Sequence, residues 1–305
     1  MHLRCLVGSY ESHLYGLDDE FNVVFATSVH VGKVTSIAMN KTMFASAGND
    51  ESIKVYRQNK LLFTADMDGH VNEIGFSDHY LICTAGRFLV MYKKDELVQE
   101  LRHMEQVISF AVHPSKRFLL SISKSHLYLF NLITGKKMVR ESLKKYFKPT
   151  LYPLNIKFDT SGDHFYLVSD RYILVFQTDD CKCIYIFSST KSITTITVTD
   201  TCFIGLDSGV ILNINIHTQS ILQMNPFQSR IKGLSISHCN EDDQIIAINA
   251  TGQLHHFSHQ KSSKLSTSPL QSYIGDFTFQ SYNTTIHLIK SIDLNCRVTC
   301  FSASQ

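Results

Sequence analysis

The sequence predicts an all-β fold, a seven-bladed β-propeller, and three observations predict it. Helical periodicity is almost absent, and short runs rich in β-branched and aromatic residues alternate with polar turns. The hairpin Ser46-Ala47-Gly48-Asn49-Asp50-Glu51-Ser52-Ile53-Lys54-Val55-Tyr56 joins a small apolar run, a polar turn and an alternating run ending in an aromatic, and this chemistry recurs down the chain. The residues that end the equivalent strands are Tyr15, Tyr56, Tyr92, Phe130, Phe176, Ile216 and Phe257. They return about every 40 residues, a period that marks repeated four-stranded sheets, and seven such positions imply seven blades.

The elements follow in order. The first unit places strands at 35–38, 43–46, 53–56 and 61–64, with Asn49-Asp50 at its central turn. The second repeats them at 73–76, 81–85, 88–92 and 98–101. The third has 107–112, 118–122 and 127–130, then a Gly-containing turn at 131–136 before its fourth strand. The fourth reads 155–158, 165–168, 173–176 and 183–186, and the fifth 193–198, 202–206, 210–216 and 221–224. The sixth has 231–236, 245–248 and 253–257, with its outer strand near 286–289 after an irregular insertion, about 258–283, rich in Ser, Thr and Gln. The seventh blade draws on both ends of the chain, about 1–27 and 296–302, so that strands from the two termini pair and close the fold. The chain therefore reads as one domain, 1–305, and loss of its last ten residues is expected to destabilise all of it.

Composition restricts the function classes. Hydrophobic residues at 44% are ample for a core, and a net charge of +2 means that any nucleic-acid contact must come from a local patch. No apolar run approaches the roughly 20 residues of a membrane helix, and 1–5 opens without a secretory core, so no membrane role and an intracellular protein are expected. Eight cysteines occur without a CxxC pair and read as reduced core residues. His255-His256 alternate across a strand and cannot share a metal. No catalytic motif, metal set, cofactor site or small-molecule substrate is read from the residues.

Two sets of residues stand out. Asp50, His70 (in Gly69-His70), Tyr15, Tyr56, Tyr92, Phe130, Phe176 and Phe257 read as structural positions of the repeat, with further structural aspartates expected at Asp170 and Asp207. Lys136, Lys137, Arg140, Lys144, Lys145 and Lys148, with Tyr146 and Phe147 between them and Glu141 as the one acid, form the strongest local charge signal. Such a run can neutralise phosphates while an aromatic stacks on a base, and it also suits a solvated edge strand. It is the candidate RNA- or partner-binding stretch.

Gly69-His70, the hairpin ending at Tyr56 and the turn His113-Pro114-Ser115 together resemble a WD40 repeat protein, with Tyr, Phe or Ile wherever that family favours Trp. Leu6-Val7-Gly8-Ser9-Tyr10-Glu11, Leu14-Tyr15-Gly16, the run from Val107 through Ser115 and Cys296-Arg297-Val298-Thr299-Cys300-Phe301 are similar to one subfamily. It contains the p21-activated-kinase-interacting protein and a fungal assembly factor of the large ribosomal subunit. The resemblance implies a non-enzymatic scaffold of the nucleus and nucleolus, binding pre-60S particles through assembly factors and pre-rRNA. Its alternatives are a cytoplasmic negative regulator that binds a p21-activated-type protein kinase, or a ubiquitin-ligase substrate receptor. The Lys-rich C-terminal extension of that subfamily has no counterpart in these 305 residues, so the resemblance carries no tail-borne rRNA contact to this chain.

Overall fold

Among the described residues the chain forms thirty strands and one 3-10 turn, as expected for alternating runs with almost no helical period. The computed structural model describes residues 3–146, 152–218, 220–239, 242–260, 270–274, 277–283 and 287–303. The strands form seven antiparallel blades, the seven-bladed β-propeller that the repeat predicts. Two compact units are distinguished, 1–156 with 296–305, and 157–295.

In the first unit, β1 (Cys5–Ser9), β2 (His13–Leu17) and β3 (Val23–Ser28) belong to the blade shared by the two termini. Blade 1 is β4 (Val34–Met39), β5 (Met43–Gly48), β6 (Ser52–Arg57) and β7 (Lys60–Asp66). Blade 2 is β8 (Ile74–Ser77), β9 (Tyr80–Ala85), β10 (Phe88–Lys93) and β11 (Glu96–Arg102). Blade 3 is β12 (Val107–Val112), β13 (Phe118–Ser123), β14 (His126–Asn131) and β15 (Lys137–Ser142), followed by the 3-10 turn Leu143–Lys145.

Blade 4 consists of β16 (Pro153–Phe158), β17 (His164–Ser169), β18 (Tyr172–Gln177) and β19 (Cys183–Ser188). In the second unit, blade 5 has β20 (Ile193–Val198), β21 (Cys202–Leu206), β22 (Ile211–Asn215) and β23 (Ser220–Met224). Blade 6 has β24 (Ile231–Cys239), β25 (Asp242–Asn249) and β26 (Gln253–Gln260). Two strands then leave it, β27 (Leu270–Ile274) and β28 (Phe277–Asn283), before β29 (His287–Asp293) returns as its outer strand. Finally β30 (Val298–Ala303) pairs with β1, so the last blade runs β3-β2-β1-β30 from both termini.

The stretch read as irregular thus contains a hairpin. β28 adds in parallel to β23, making blade 5 a six-stranded sheet. Polar composition had hidden it, because this hairpin is placed by pairing with a neighbouring blade and not by an alternating apolar face of its own.

The buried layer repeats from blade to blade. Where the second strand meets the third, Phe44 opposes Tyr56, Leu81 opposes Tyr92, Leu119 opposes Phe130, Phe165 opposes Phe176 and Ile245 opposes Phe257. Phe165 and Phe176 stack at 4.9 Å and 2°, Phe44 and Tyr56 at 4.8 Å and 12°, contacts worth about 0.5–1.5 kcal/mol beyond area burial. In the terminal blade Cys5 opposes Leu17, two positions after Tyr15, and in blade 5 Cys202 opposes Ile214, two before Ile216. Tyr15 and Ile216 keep the correct face, because side chains alternate with period two, but occupy the neighbouring layer. Gly209, at φ +85° in the β21–β22 turn, has no substitute: a Cβ there would lie 2.4 Å from the Phe227 carbonyl oxygen.

Candidate functional site

Blade 1 holds the most complete polar network. His30, four residues before the buried Val34, donates from Nδ1 to Asp50 Oδ1 at 3.0 Å and accepts at Nε2 from the buried Ser46 hydroxyl at 2.9 Å. Asp50 also accepts from the Val31 N–H at 2.8 Å and from Ser52 Oγ at 2.9 Å. Burial pushes the His30 imidazole down, opposed by the Asp50 charge. Burial raises the Asp50 carboxyl, but its hydrogen bonds from Val31 and Ser52 outweigh this and hold it below the ordinary range. The network is closed, and its geometry is that of a clamp between the blade's first loop and its central turn.

The same place in blade 3 is taken by His103, four residues before Val107. Its Nδ1 donates to the Leu101 carbonyl at 2.9 Å, its Nε2 accepts from the buried Ser121 hydroxyl at 2.7 Å, and its ring meets Tyr128 edge-on at 4.6 Å. Among the described residues no carboxylate faces it, and burial takes its pKa down to about 4. In blade 2 the position four before Val71 is Met67, which is buried, and His70 lies three residues later, only half-buried. The Gly-His pair matches the motif in letters and misses it in register. His103 was not singled out from the sequence, although the spacing His-x-x-x-Val shared by His30-Val34 and His103-Val107 would have found it. Nor do the other two aspartates build a clamp. Asp170 meets Arg171 at 3.5 Å on the surface, and Asp207 Oδ1 is buried without a hydrogen-bond partner.

The basic stretch forms the outer strand and following turn of blade 3. Lys136, Lys137, Arg140, Lys144 and Lys145 are all exposed, and Lys148 lies outside the described residues. A β-bulge sets their arrangement: Leu129 pairs with Val139 and Phe130 with Lys137, so Met138 is the extra residue. The bulge brings Lys137 and Arg140, three apart, onto one face with Tyr128, and the Lys137 ammonium sits 6.0 Å from that ring. Beyond the strand, the buried Leu143 anchors the 3-10 turn and leaves Lys144 exposed. Lys145 pairs with Glu141 at 2.5 Å, which holds its pKa above the usual range. Lys136, Lys137, Arg140 and Lys144 have no acidic partner among the described residues.

A directed relay joins this strand to the blade's first loop. Arg140 Nη2 donates to His126 Nε2 at 2.9 Å, His126 Nδ1 donates to Ser125 Oγ at 2.8 Å, and Ser125 Oγ donates to Glu105 Oε1 at 2.5 Å. The trio of residue types resembles a hydrolytic set, but the proton directions do not. The serine gives its proton to the carboxylate and receives one from the imidazole, so nothing is placed to activate it as a nucleophile. The relay fixes Arg140 in position. Among the described residues, no group of three His, Cys, Asp or Glu side chains is placed to hold a metal.

No protein-family model matches the chain. It is similar to the Shk1 kinase-binding protein 15 of Schizosaccharomyces pombe, 24% identical over 83% of this chain and 76% of that protein. It is similar also to a p21-activated protein kinase-interacting protein 1-like protein of Xenopus laevis, 21% identical over 99% of this chain and 82% of that one. A protein of the same name from Danio rerio is 24% identical over 63% of this chain and 55% of its own length. The chain is thus a seven-bladed β-propeller, six blades four-stranded and one extended to six strands, with a His–Ser–Asp clamp in blade 1, and it is similar to proteins named for kinase binding or interaction.

Proposed function

We propose that this chain is a non-enzymatic scaffold that binds a protein kinase. The observation that carries the reading is similarity over 83% and 99% of the chain to proteins named for kinase binding or interaction. The exposed strand Lys137–Ser142 with the turn after it is the contact surface. Four cations without acidic partners there suit an acidic segment, and the Glu105–Ser125–His126–Arg140 relay holds one of them ready at little entropic cost. The test is direct binding of the purified chain to the regulatory segment of a p21-activated-type kinase, with autophosphorylation as a second readout. Saturable binding with loss of autophosphorylation is expected, and no binding at tens of micromolar would overturn the reading.

The same cationic strand favours a second reading, assembly of the large ribosomal subunit through pre-rRNA, with the protein in the nucleus and nucleolus. Its mark is a steep fall of RNA affinity with salt, as several phosphates release their counterions. On the kinase reading the protein works in the cytoplasm.

A further inference from the structure

Outer strands of propeller blades are open edges, and this chain treats six of its seven in one way. Between the third and outer strands the register shifts at Leu17, Tyr56, Tyr92, Phe130, Phe176 and Phe257. Each shift leaves one extra residue in the outer strand: Val24, Leu62, Val98, Met138, Ile184 and Ile289. A bulge in an edge strand twists it and interrupts its ladder, which discourages a further strand from adding.

Blade 5 is the exception. β22 and β23 pair without a shift from Ile211↔Met224 to Asn215↔Ser220. The strand Ser220–Met224 carries no charged residue, and Ile221 and Met224 are buried, whereas the bulged residues Leu62, Val98, Met138 and Ile289 are exposed. Among the described residues this is also the one outer edge that is paired: Ser220–Gln223 run parallel to Gln280–Asn283 of β28. The absent bulge and the added strand coincide.

We propose that the outer edge of blade 5, Ser220–Met224, is a strand-addition site, occupied in this structure by the chain's own β28 and open by exchange to an uncharged extended segment of a partner protein. The resident holds through four parallel residue pairs, and parallel ladders are slightly weaker per residue than antiparallel ones. It stays in place because it is tethered at both ends to blade 6, which gives it an effective concentration of about millimolar order. A partner competes through backbone hydrogen bonds, as in other strand-addition complexes, and neither resident nor edge carries a charge that would select an ionic ligand. The register alone supports this site, independently of any kinase contact.

The experiment uses the full chain carrying Leu222→Cys and Tyr282→Cys, positions paired in register across the β23–β28 ladder. A fluorescent peptide with the sequence of residues 277–283 is titrated in by anisotropy, with the thiols reduced and then oxidised. The expected result is a 222–282 disulfide found by peptide mapping, peptide binding to the reduced protein, and at least tenfold weaker binding once oxidised. Failure of the crosslink, no binding to the reduced protein at millimolar peptide, or equal binding in both states would each overturn the proposal. One added alanine between Ser220 and Ile221, restoring the bulge, should abolish peptide binding in a chain that still melts cooperatively. Unchanged binding to that folded variant would also overturn it.

Discussion

Replacing His103 by glutamine should flatten the acid side of the protein's stability curve. The imidazole is 3% exposed, donates to the Leu101 carbonyl and accepts from the Ser121 hydroxyl, and its burial keeps it neutral. Burial lowers its pKa from the ordinary 6.5 to about 4, with the Lys137 charge pushing the same way. As pH falls through 6.5 the unfolded chain takes up a proton that the folded one refuses, so stability drops until the folded form also protonates near 4. At about 1.4 kcal/mol per pH unit the loss is about 3 kcal/mol, fully absent above pH 6.5 and complete near pH 4. Urea unfolding of both proteins at pH 7.5, 6.5, 5.5 and 4.5 reads this directly, because the other titrating groups cancel in the difference. His103→Gln should be less stable at pH 7.5 by about 2 kcal/mol, from a lost hydrogen bond and poorer aromatic packing. The gap should close as pH falls. Parallel curves from pH 6.5 to 4.5 would refute the assignment of a buried neutral imidazole.

Further outcomes follow from the same geometry. Asp50→Ala strands His30 and Ser52 donors in the blade 1 clamp and should cost about 2–3 kcal/mol in equilibrium unfolding, with Asp50→Asn costing less. Phe176→Ala removes a stacked, buried ring and should cost about 3–5 kcal/mol, seen as a lower urea midpoint at unchanged slope. Deleting residues 296–305 strips β30 from β1 and uncovers the buried Leu6 and Val7, so the remaining chain should melt at least about 10 °C lower or fail to fold. Lys137→Glu with Arg140→Glu, both exposed, should weaken kinase binding at least tenfold while changing unfolding by no more than about 0.5 kcal/mol.

The propeller was legible because its signals are local. Alternation and the Asn-Asp and Gly turns sit within single hairpins, and their return about every 40 residues, seven times, leaves few other folds. What escaped was register. Tyr15 and Ile216 look like the aromatic position because they end apolar runs, but pairing across the sheet assigns that layer to Leu17 and Ile214. His70 shows a different failure, in which a dipeptide outweighed spacing, although His30 and His103 carried the spacing in plain view. The basic strand was legible as charge. The bulge at Met138 and the relay through His126 that aim Lys137 and Arg140 depend on cross-strand and loop neighbours 7 to 20 residues away in the chain, beyond what a local pattern encodes.

The claim that this propeller is a kinase-binding scaffold is tested most directly by purifying the tagged chain from cells, separating it on a sucrose gradient and identifying its companions by mass spectrometry. A p21-activated-type kinase is expected in the light fractions, lost when Lys137 and Arg140 are reversed to glutamate. Sedimentation with large-subunit precursors, without any kinase, would contradict it and leave the ribosomal reading in its place.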